Sequence, residues 1–292
     1  MKTPEGWRIR DGVLDLTSPR IMGILNITPN SFSDGGRYLD PASALDQARA
    51  LVESGAHILD IGGESTRPGA ERVDSTEQIK RVIPVIESIR SAGLGTPISI
   101  DTTRVEVAQA AIEAGASIIN DIAAGTESEG MLSLAAETGA GLVLMHRRMQ
   151  KDAPGGTSTY PTTPDYPGGV VGVVREYLKD RAEAAIAAGV AQETIVLDPG
   201  LGFGKSVEQN YQLIARTGEL MELGFPILSA ASRKSFIGSA TGVEDPAKRV
   251  AGSLSVSVAH FRMGVRLFRV HDPLDHAQAL AVAAAIEAGN NS

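Results

Sequence analysis

Eight short apolar segments, each followed directly by polar residues, recur along this chain. Each segment is rich in Ile, Val and Leu on both faces, which is typical of a strand buried on both sides of a parallel sheet. The segments span residues 21–26, 57–62, 97–101, 117–121, 141–146, 194–198, 226–232 and 265–271. The polar residues at their C-terminal ends are Asn26, Asp60, Asp101, Asn120, His146, Asp198, the run Ser232-Arg233-Lys234, and Arg269 with His271. This pattern predicts an α/β fold, a (β/α)8 TIM barrel, with its active site at that end of the strands.

Segments with helical spacing separate the eight predicted strands. They predict helices over residues 42–54, 76–92, 104–114, 129–138, 170–188, 207–222, 246–262 and 274–288. In the seventh helix, one apolar stripe is expected to face the barrel, formed by Val250, Leu254, Val258 and Phe261. Gly55 and Gly115 each follow a helix and are expected to end it. An open doubly wound sheet is the alternative architecture, although it usually has fewer strands and one dominant Gly-rich turn.

Residues 7–16 alternate around Asp11-Gly12, a pair that favours a type I′ hairpin. We expect this N-terminal β-hairpin to close the end of the barrel opposite the active site. The richest linker candidate, residues 153–169, falls between the fifth strand and its helix, where a long loop belongs. Because α/β barrels of about 250 residues form one domain, residues 1–292 are predicted to form a single barrel domain.

Composition narrows the possible functions. The chain has no cysteine, which excludes disulfides and thiolate chemistry, and no apolar leader or membrane-spanning run, so we predict a cytoplasmic protein. A net charge of −8 argues against nucleic acid as a partner. An anionic small substrate remains compatible, because several basic residues are expected to gather at the catalytic face: Arg67, Lys205, Arg233, Lys234, Arg269 and His271.

Three polar residues at strand ends suit a flat heterocycle. The carboxylate of Asp198 can accept two parallel N–H donors, such as a guanidinium or the 2-amino-pyrimidinone edge of a pterin. Its alternative role is that of a turn or helix-cap carboxylate. Helix capping is also open for Asp101, which lies near the start of the third helix. Asn120 can both donate to and accept from a heterocycle.

The stretch Asp198–Ser206, DPGLGFGKS, is similar to a phosphate-binding loop but departs from it at one position. A Walker A motif requires glycine where this chain has Pro199, so that interpretation fails. The glycines would instead let the backbone lie close to a flat ligand, with Phe203 available to stack on it. The alternative is that they serve only a tight turn.

Basic residues follow the seventh and eighth strands, where barrels often bind phosphate. Arg233, Lys234, Arg269 and His271 therefore predict an anion site, with a salt-bridged rim as the alternative. His57, His260 and His276 lie away from that face and are predicted to be core or surface histidines. Without a dense His/Cys cluster, any metal is expected to be a hard ion that binds through phosphate oxygens.

Seven motifs in order from about residue 20 to the C-terminus resemble one family, dihydropteroate synthase. They are NITPNSFSDGG (26–36), DIGGESTRPGA (60–70), SIDTTRVEVA (99–108), INDI (119–122), LDPGLGFGK (197–205), SRKSFIG (232–238) and RVHD (269–272). The resemblance implies a (β/α)8 barrel that joins 6-hydroxymethyl-7,8-dihydropterin diphosphate to 4-aminobenzoate and releases pyrophosphate in folate biosynthesis. It also implies a sulfonamide target, since sulfonamides mimic 4-aminobenzoate.

The resemblance also implies roles for individual residues. The pterin would be held by Asp101, Asn120, Asp198 and Lys234, and its faces lined by Ile122, Met145, Gly202 and Phe203. The diphosphate would be held by Asn26, Thr66, Arg269 and His271, and Asn26 would also bind Mg²⁺. The 4-aminobenzoate would be surrounded by Phe32, Thr66, Pro68, Lys234 and Ser235, with Arg67 in the same substrate-binding loop. The catalytic group would be Asp101, Lys234, Arg269 and His271.

The resemblance implies that pyrophosphate leaves first and that the aniline nitrogen captures a pterin methylene cation. Two departures leave alternatives open: Asn30 stands where the family commonly has Asp, and Arg147 to Gln150 replace a Met-x-Gly continuation. One alternative is a methyltetrahydrofolate methyltransferase, which would not need the SRKS, RVH and STRPG motifs. The other is a paralogue that binds pterin without synthase activity.

The last two predicted helices suggest a second subunit. Residues 277–288 are apolar nearly all round, whereas an outer helix of a barrel needs only one apolar stripe. Residues 246–262 are rich in small side chains. We therefore predict a homodimer packed through these helices. The alternative is that alanine is present for its helix propensity alone.

Overall fold

In the computed structural model, the described residues are 4–27, 41–64, 73–148 and 165–290. An antiparallel hairpin comes first, formed by β1 (Gly6–Ile9) and β2 (Gly12–Asp15). The barrel strands are β3 (Arg20–Asn26), β4 (Ile58–Gly62), β5 (Ile98–Asp101), β6 (Ile118–Asp121), β7 (Gly141–Met145), β8 (Ile195–Asp198), β9 (Leu228–Ser229) and β10 (Leu267–Val270).

Helices occupy the segments between the barrel strands. They are α1 (Pro41–Glu53), α2 (Ser75–Ser91), α3 (Val105–Glu113), α4 (Met131–Thr138), α5 (Val170–Ala187), α6 (Val207–Ala215), α7 (Thr217–Met221), α8 (Ser235–Thr241), α9 (Val250–Arg262) and α10 (Pro273–Asn290). Gly55 and Gly115 adopt φ of +97° and +112° just after α1 and α3, so both end a helix as predicted.

The eight barrel strands are parallel and lie in the order β8-β7-β6-β5-β4-β3-β10-β9. A parallel bridge between Leu197 and Ile227 joins β8 to the residues before β9 and nearly closes the sheet. The strand order follows the chain and has no reversal point, which a doubly wound sheet requires. The predicted barrel is confirmed, and the open-sheet alternative is wrong.

Two predicted elements differ from the structure, and one helix has no predicted counterpart. The helix expected over 207–222 breaks at Arg216, whose φ of −114° is not helical, giving α6 and α7. Helix α8 was not predicted, because its seven residues include a glycine and are too few for a periodic pattern. Strand β9 has two residues rather than the full apolar segment 226–232.

The stripe predicted for α9 is confirmed only at Phe261, which is buried. Ser253, Val256, Ser257 and His260 are buried against the barrel, whereas Val250, Leu254 and Val258 are half-buried. Serine hydroxyls on the inner face explain the error, because hydrogen bonds let them be buried. For example, the Ser253 hydroxyl donates to the Arg249 carbonyl and accepts from the Arg233 amide.

The hairpin closes the N-terminal end of the barrel, as predicted. Trp7 is fully buried against the lower residues of the strands, and its indole N–H donates to the Thr194 carbonyl at 2.8 Å. The turn, however, is not type I′. Ile9 pairs with Gly12, so the turn residues are Arg10 and Asp11, and neither has the positive φ that type I′ requires.

Candidate active site

The C-terminal ends of the barrel strands bring most of the predicted residues to one level. Neighbouring strands pair Asn26 with Gly62, Gly62 with Asp101, and Asp101 with Asn120. Farther around the barrel, Met145 pairs with Asp198. Because all these strands are parallel, the paired residues lie at the same mouth of the barrel.

Arg269 lies between two carboxylates at this mouth. Its Nε donates to Asp60 Oδ2 and its Nη2 donates to Asp101 Oδ2, each at 2.6 Å. Burial alone would lower the pKa of Arg269, but Asp60 and Asp101 outweigh it and raise that pKa above its usual range. The guanidinium is therefore charged and fixed at both of these nitrogens.

Asp101 is not a helix cap. The cap position of α3 is Arg104, whose backbone N–H binds the Thr102 hydroxyl at 3.1 Å. Burial raises the pKa of Asp101 to about 7, with Asp60 and Asp121 adding to the effect and Arg269 opposing it. The capping alternative is therefore wrong for Asp101, whose described partner is Arg269.

Asp198 combines a turn role with a site position. Its Oδ1 accepts the Gly200 amide at 2.7 Å, and among the described residues no hydrogen bond reaches its Oδ2. Gly200 has φ +66°, and a Cβ there would lie 1.8 Å from the His146 carbonyl oxygen. This glycine therefore serves close backbone packing in the turn. Burial raises the pKa of Asp198, while Lys234 opposes that shift.

Lys234 lies across the Gly-rich loop from Asp198. Its Nζ binds the Leu201 carbonyl and lies 4.7 Å from the centre of the Phe203 ring. A Cβ on Gly202 would lie 3.0 Å from Lys234 Cδ, so that glycine gives the lysine stem room. Burial lowers the pKa of Lys234 to about 8, with Asp198 opposing. Ser235 is exposed and begins α8.

Lys205, which the sequence predicts among the basic residues of the catalytic face, uses its ammonium group within the Gly-rich loop. It is buried, and its Nζ lies 2.9 Å from His146 Nδ1, 2.8 Å from the Gly200 carbonyl and 3.0 Å from the Phe203 carbonyl. Burial lowers the pKa of His146 to about 2, so its imidazole is neutral and Nδ1 accepts from the lysine. Lys205 therefore holds the loop in place rather than facing a ligand.

Arg233 is also removed from the anion site. It forms a two-pronged ion pair with Asp272, with Nε to Oδ2 at 2.9 Å and Nη2 to Oδ1. For this residue the salt-bridged alternative is correct. His271 lies beside Ser232, with 3.0 Å between its Nδ1 and the Ser232 hydroxyl.

The remaining predicted residues divide between placed and undescribed ones. Ile122 and Met145 are buried at the ends of β6 and β7, and Asn26 ends β3 half-buried. The segments that hold Asn30, Phe32, Thr66, Arg67 and Pro68 lie outside the described residues. Arg147 pairs with Glu127, and the Arg148 guanidinium lies 5.2 Å from the centre of the Tyr166 ring. The rest of the unusual extension after Arg148, up to residue 164, also lies outside the described residues.

The donor set near Asn26 fits a metal ion only in part. Within the described ranges, no group of three or more His, Cys, Asp or Glu side chains could hold a metal ion. Asn26 offers a hard amide oxygen, which suits an ion that takes most of its other ligands from a phosphate group and water.

The three histidines set aside from the site are buried or half-buried. His260 is fully buried, with Ser229 Oγ 2.7 Å from Nδ1 and Thr217 Oγ1 3.2 Å from Nε2, and burial lowers its pKa to about 4. Burial also lowers the pKa of His57 and of His276. All three are core histidines rather than site residues.

Asp60 is the residue whose role the sequence did not reveal. It is fully buried, and besides Arg269 it accepts two long hydrogen bonds from Asn120 Nδ2, at 3.3 and 3.4 Å. The available signal was its position, since it ends an apolar segment and precedes a Gly-rich motif. Nothing in the sequence distinguishes such a residue beneath a site from one that touches a ligand.

Comparisons with known proteins point to one family. The pterin binding enzyme family matches residues 22–271. The dihydropteroate synthase of Synechocystis is 45% identical over 91% of this chain and 89% of its own length. Dihydropteroate synthase of Xanthomonas albilineans, solved with 4-aminobenzoic acid, has a TM-score of 0.87 and 43% identity, covering 98% of this chain and 99% of its own. The same enzyme solved with 7,8-dihydropteroate has a TM-score of 0.83 and 41% identity, covering 94% and 96%.

None of the helices in the described ranges is long and apolar enough to span a membrane.

Proposed function

The chain belongs to the dihydropteroate synthase family of pterin binding enzymes, and we propose that it catalyses that family's reaction. In this reaction, 6-hydroxymethyl-7,8-dihydropterin diphosphate and 4-aminobenzoate give 7,8-dihydropteroate and pyrophosphate. The observation that carries the proposal is the convergence of Asp101, Asn120, Asp198 and Lys234 at one mouth of the barrel. It is supported by relatives solved with 4-aminobenzoic acid and with 7,8-dihydropteroate.

The pterin would be held by complementary hydrogen bonds. The Asp198 carboxylate accepts from the N–H donors of the 2-amino-pyrimidinone edge, because an ionised carboxylate is acceptor-only. Asp101 has one oxygen on Arg269, which leaves its other oxygen for the ring. Lys234 brings a positive charge to the polar edge of the pterin, and the apolar residues Ile122, Met145 and Phe203 would line its faces together with Gly202.

The diphosphate would lie towards the end of β10. Arg269 and His271 would donate to its oxygens and stabilise the charge that develops on the leaving group. The C–O bond between the pterin methylene and the diphosphate breaks, and its electron pair leaves with oxygen. The aniline nitrogen then forms a C–N bond with the methylene carbon and loses a proton to solvent. No strong base is needed, because the aniline carries a free electron pair at neutral pH.

Mg²⁺ is part of this proposal. Asn26 would hold it through its amide oxygen, together with oxygens of the diphosphate. When bound, the ion would neutralise negative charge on the leaving group. The segments holding Phe32, Thr66, Arg67, Pro68 and the neighbouring glycines are proposed to contact 4-aminobenzoate and the diphosphate, and Ser235 to complete the 4-aminobenzoate site.

Pyrophosphate release from purified protein tests the proposed function. The assay is run with both substrates and then with each omitted in turn. We expect pyrophosphate only when the pterin diphosphate is present, and dihydropteroate only when both are present. Pterin binding without product would favour the non-catalytic paralogue, and methyl transfer from methyltetrahydrofolate would favour the methyltransferase.

We also propose a homodimer that packs through α9 and α10. Helix α10 exposes Leu274, Val282 and Ile286, which are 53%, 61% and 60% exposed, and Ala281 and Ala285 lie on exposed positions among them. An apolar patch of this kind on an outer helix is typical of an interface.

Light scattering on the wild type and on Ala281→Glu/Ala285→Glu tests the dimer. We expect a dimeric wild type and a monomeric double variant, because two buried charges on a two-fold interface are not compensated. Ala187→Glu/Ala188→Glu, at the exposed end of α5, is the charge-matched control and should remain dimeric. A monomeric wild type, or a double variant that stays dimeric, would overturn this interface.

Two further predictions from the sequence belong to this proposal. Cell fractionation tests the cytoplasmic location. A single cooperative unfolding transition tests the single-domain organisation.

A further inference from the structure

Asp60 lies at the open end of the barrel, two positions before Gly62, whose strand partners are Asn26 and Asp101. Its side chain is fully buried, and both of its described partners are predicted substrate-binding residues on other strands. It accepts from Arg269 Nε at 2.6 Å and from Asn120 Nδ2 at 3.3 and 3.4 Å. A buried carboxylate that touches only two site residues is placed to orient them.

We propose that Asp60 is a positioning residue that fixes the Arg269 guanidinium for the diphosphate and the Asn120 amide for the pterin. This inference rests on the proposed function, in which those two side chains bind substrate. Asp60 itself has no exposed surface, so it acts through these two side chains.

Asp60 occupies one edge of the Arg269 guanidinium. Arg269 uses Nε for Asp60 and one N–H of Nη2 for Asp101. The described residues give Nη1 no hydrogen bond, so Nη1 and the second N–H of Nη2 are available to an anion. Asp60 therefore holds the inner edge of the guanidinium and leaves the terminal edge for diphosphate oxygens.

Without Asp60, Arg269 would rearrange around Asp101. An arginine beside a single carboxylate favours the two-pronged arrangement, with two parallel N–H···O bonds. Asp101 would then take a second N–H of Arg269, and Arg269 would occupy both oxygens of Asp101. The diphosphate would then lose donors, and the pterin would lose an acceptor. By holding Nε, Asp60 keeps N–H groups of Arg269 available to the diphosphate and one oxygen of Asp101 available to the pterin.

Asp60 also orients the Asn120 amide. An ionised carboxylate only accepts hydrogen bonds, so it must face the NH₂ group of the amide and not the oxygen. Asp60 thereby fixes which end of the Asn120 amide it holds and leaves Oδ1 for a donor on the pterin. The long contacts of 3.3 and 3.4 Å make this the weaker of the two effects.

Asp60→Asn is the test, because it keeps the shape and removes the charge. We expect Km for the pterin diphosphate to rise, or kcat to fall, by roughly 10- to 100-fold, the range typical when a group that orients a ligating side chain is removed. Km for 4-aminobenzoate should change less. Ser99→Ala is the matched control: Ser99 is the strand partner of Asp60, is buried, and makes no hydrogen bond through its hydroxyl to any described residue.

Two readouts separate positioning from a purely structural role. By NMR, the Nε–H signal of Arg269 should be protected from exchange in the wild type and in Ser99→Ala, and exposed in Asp60→Asn. By calorimetry, Asp60→Asn should weaken binding of inorganic pyrophosphate. Combining Asp60→Asn with Arg269→Gln should weaken it no further than Arg269→Gln alone, because Asp60 acts through Arg269.

The outcomes distinguish this inference from the proposed function. An Asp60→Asn variant with wild-type kinetics and a protected Arg269 signal would overturn the positioning role, and so would losses that add fully in the double variant. A wild type that binds pyrophosphate but forms no dihydropteroate would overturn the proposed function. The NMR and pyrophosphate measurements would still decide the role of Asp60.

Discussion

The two ends of the barrel are formed by the same strands. On one strand, side chains only two positions apart are apolar at one end and polar at the other. At the closed end, apolar side chains from β4, β6, β8 and β10 pack beneath the hairpin. On each of these strands, the residue two positions later lies on the same face at the open end, and its side chain is polar or charged. The pairs are Ile58 and Asp60, Ile118 and Asn120, Val196 and Asp198, and Leu267 and Arg269.

The comparison shows how a barrel separates stability from function. Burial at the closed end is favourable because the side chains and the hairpin exclude water. The same burial at the open end disfavours charge, since it raises the pKa of Asp101 and of Asp198 and lowers that of Lys234. The open end therefore costs stability, and the closed end offsets that cost. The predictions below test this division from the largest expected effect to the smallest.

Trp7→Ala should affect stability and not catalysis. Removing this fully buried side chain leaves a cavity above the closed-end layer, and we expect a loss of about 3–5 kcal/mol in the free energy of unfolding. Urea denaturation measures it, and kcat and Km of the folded variant should equal those of the wild type. Val13→Ala is the control, because Val13 lies on the same hairpin and is 68% exposed. It should change neither the free energy of unfolding nor the kinetic constants. A lower kcat or a higher Km in Trp7→Ala, measured where the variant is folded, would contradict this separation of stability from function.

Arg269→Ala should affect catalysis most. It removes a charged donor from the proposed leaving group and leaves Asp60 and Asp101 without their shared partner. We expect roughly a 100- to 1000-fold fall in turnover, as for loss of a donor to a developing negative charge. Arg266→Ala is the control, because Arg266 lies just before the same strand at the closed end, where it stacks on Phe261. Turnover of Arg266→Ala should match the wild type, and equal losses in the two variants would contradict the assignment.

The sequence predicted the fold well because strand burial leaves a local signal. Each barrel strand falls in a largely apolar segment that polar residues end or follow, so the number of strands and their order along the chain could be predicted without a structure. Helix α8 was not predicted because seven residues carry too little periodicity. The buried face of α9 was predicted wrongly at most positions because buried serines appear polar in a sequence. The hairpin turn failed because its position depends on strand register, which Asp11-Gly12 alone does not fix.

The site was predicted less completely, because charge pairing is not local. The sequence predicts Lys205 among the basic residues of the catalytic face and Arg233 in the anion site, but Lys205 binds carbonyls and His146, and Arg233 pairs with Asp272. Asp272 lies 39 positions from Arg233 in the chain, and His146 lies 59 positions from Lys205. Asp60 was overlooked for the same reason, since Arg269 is 209 positions away. Residue type at a strand end predicts that a side chain reaches the mouth, and the pairing there decides what it can bind.

Asp198→Asn should weaken pterin binding. The amide must present a donor towards the pterin's own N–H donors, and each unpaired buried polar group costs about 1–3 kcal/mol. Calorimetry with the pterin measures the change. Asp121→Asn is the control, because both Asp121 oxygens accept backbone amides, from Ala123 at 2.8 Å and Gly125 at 2.6 Å. Its pterin affinity should be unchanged, and unchanged affinity in Asp198→Asn would leave only the turn role for that carboxylate.

The smallest predicted effect is a pH dependence that separates ligand binding from stability at the open end. Burial raises the pKa of Asp101 to about 7 and lowers that of Lys234 to about 8, and the proposed pterin site needs the first ionised and the second protonated. Affinity for a dihydropterin without diphosphate should therefore peak between these values and fall about tenfold per pH unit outside them.

Stability should follow a different course. Because folding raises the pKa of Asp101, its stabilising contribution is complete below the pKa of the unfolded carboxyl and is lost as pH rises through about 7. Calorimetry and urea denaturation over the same pH series measure the two curves. The low-pH limb of the binding curve should disappear in Asp101→Asn, and a flat wild-type binding curve would mean that the buried charges at the open end do not control pterin binding.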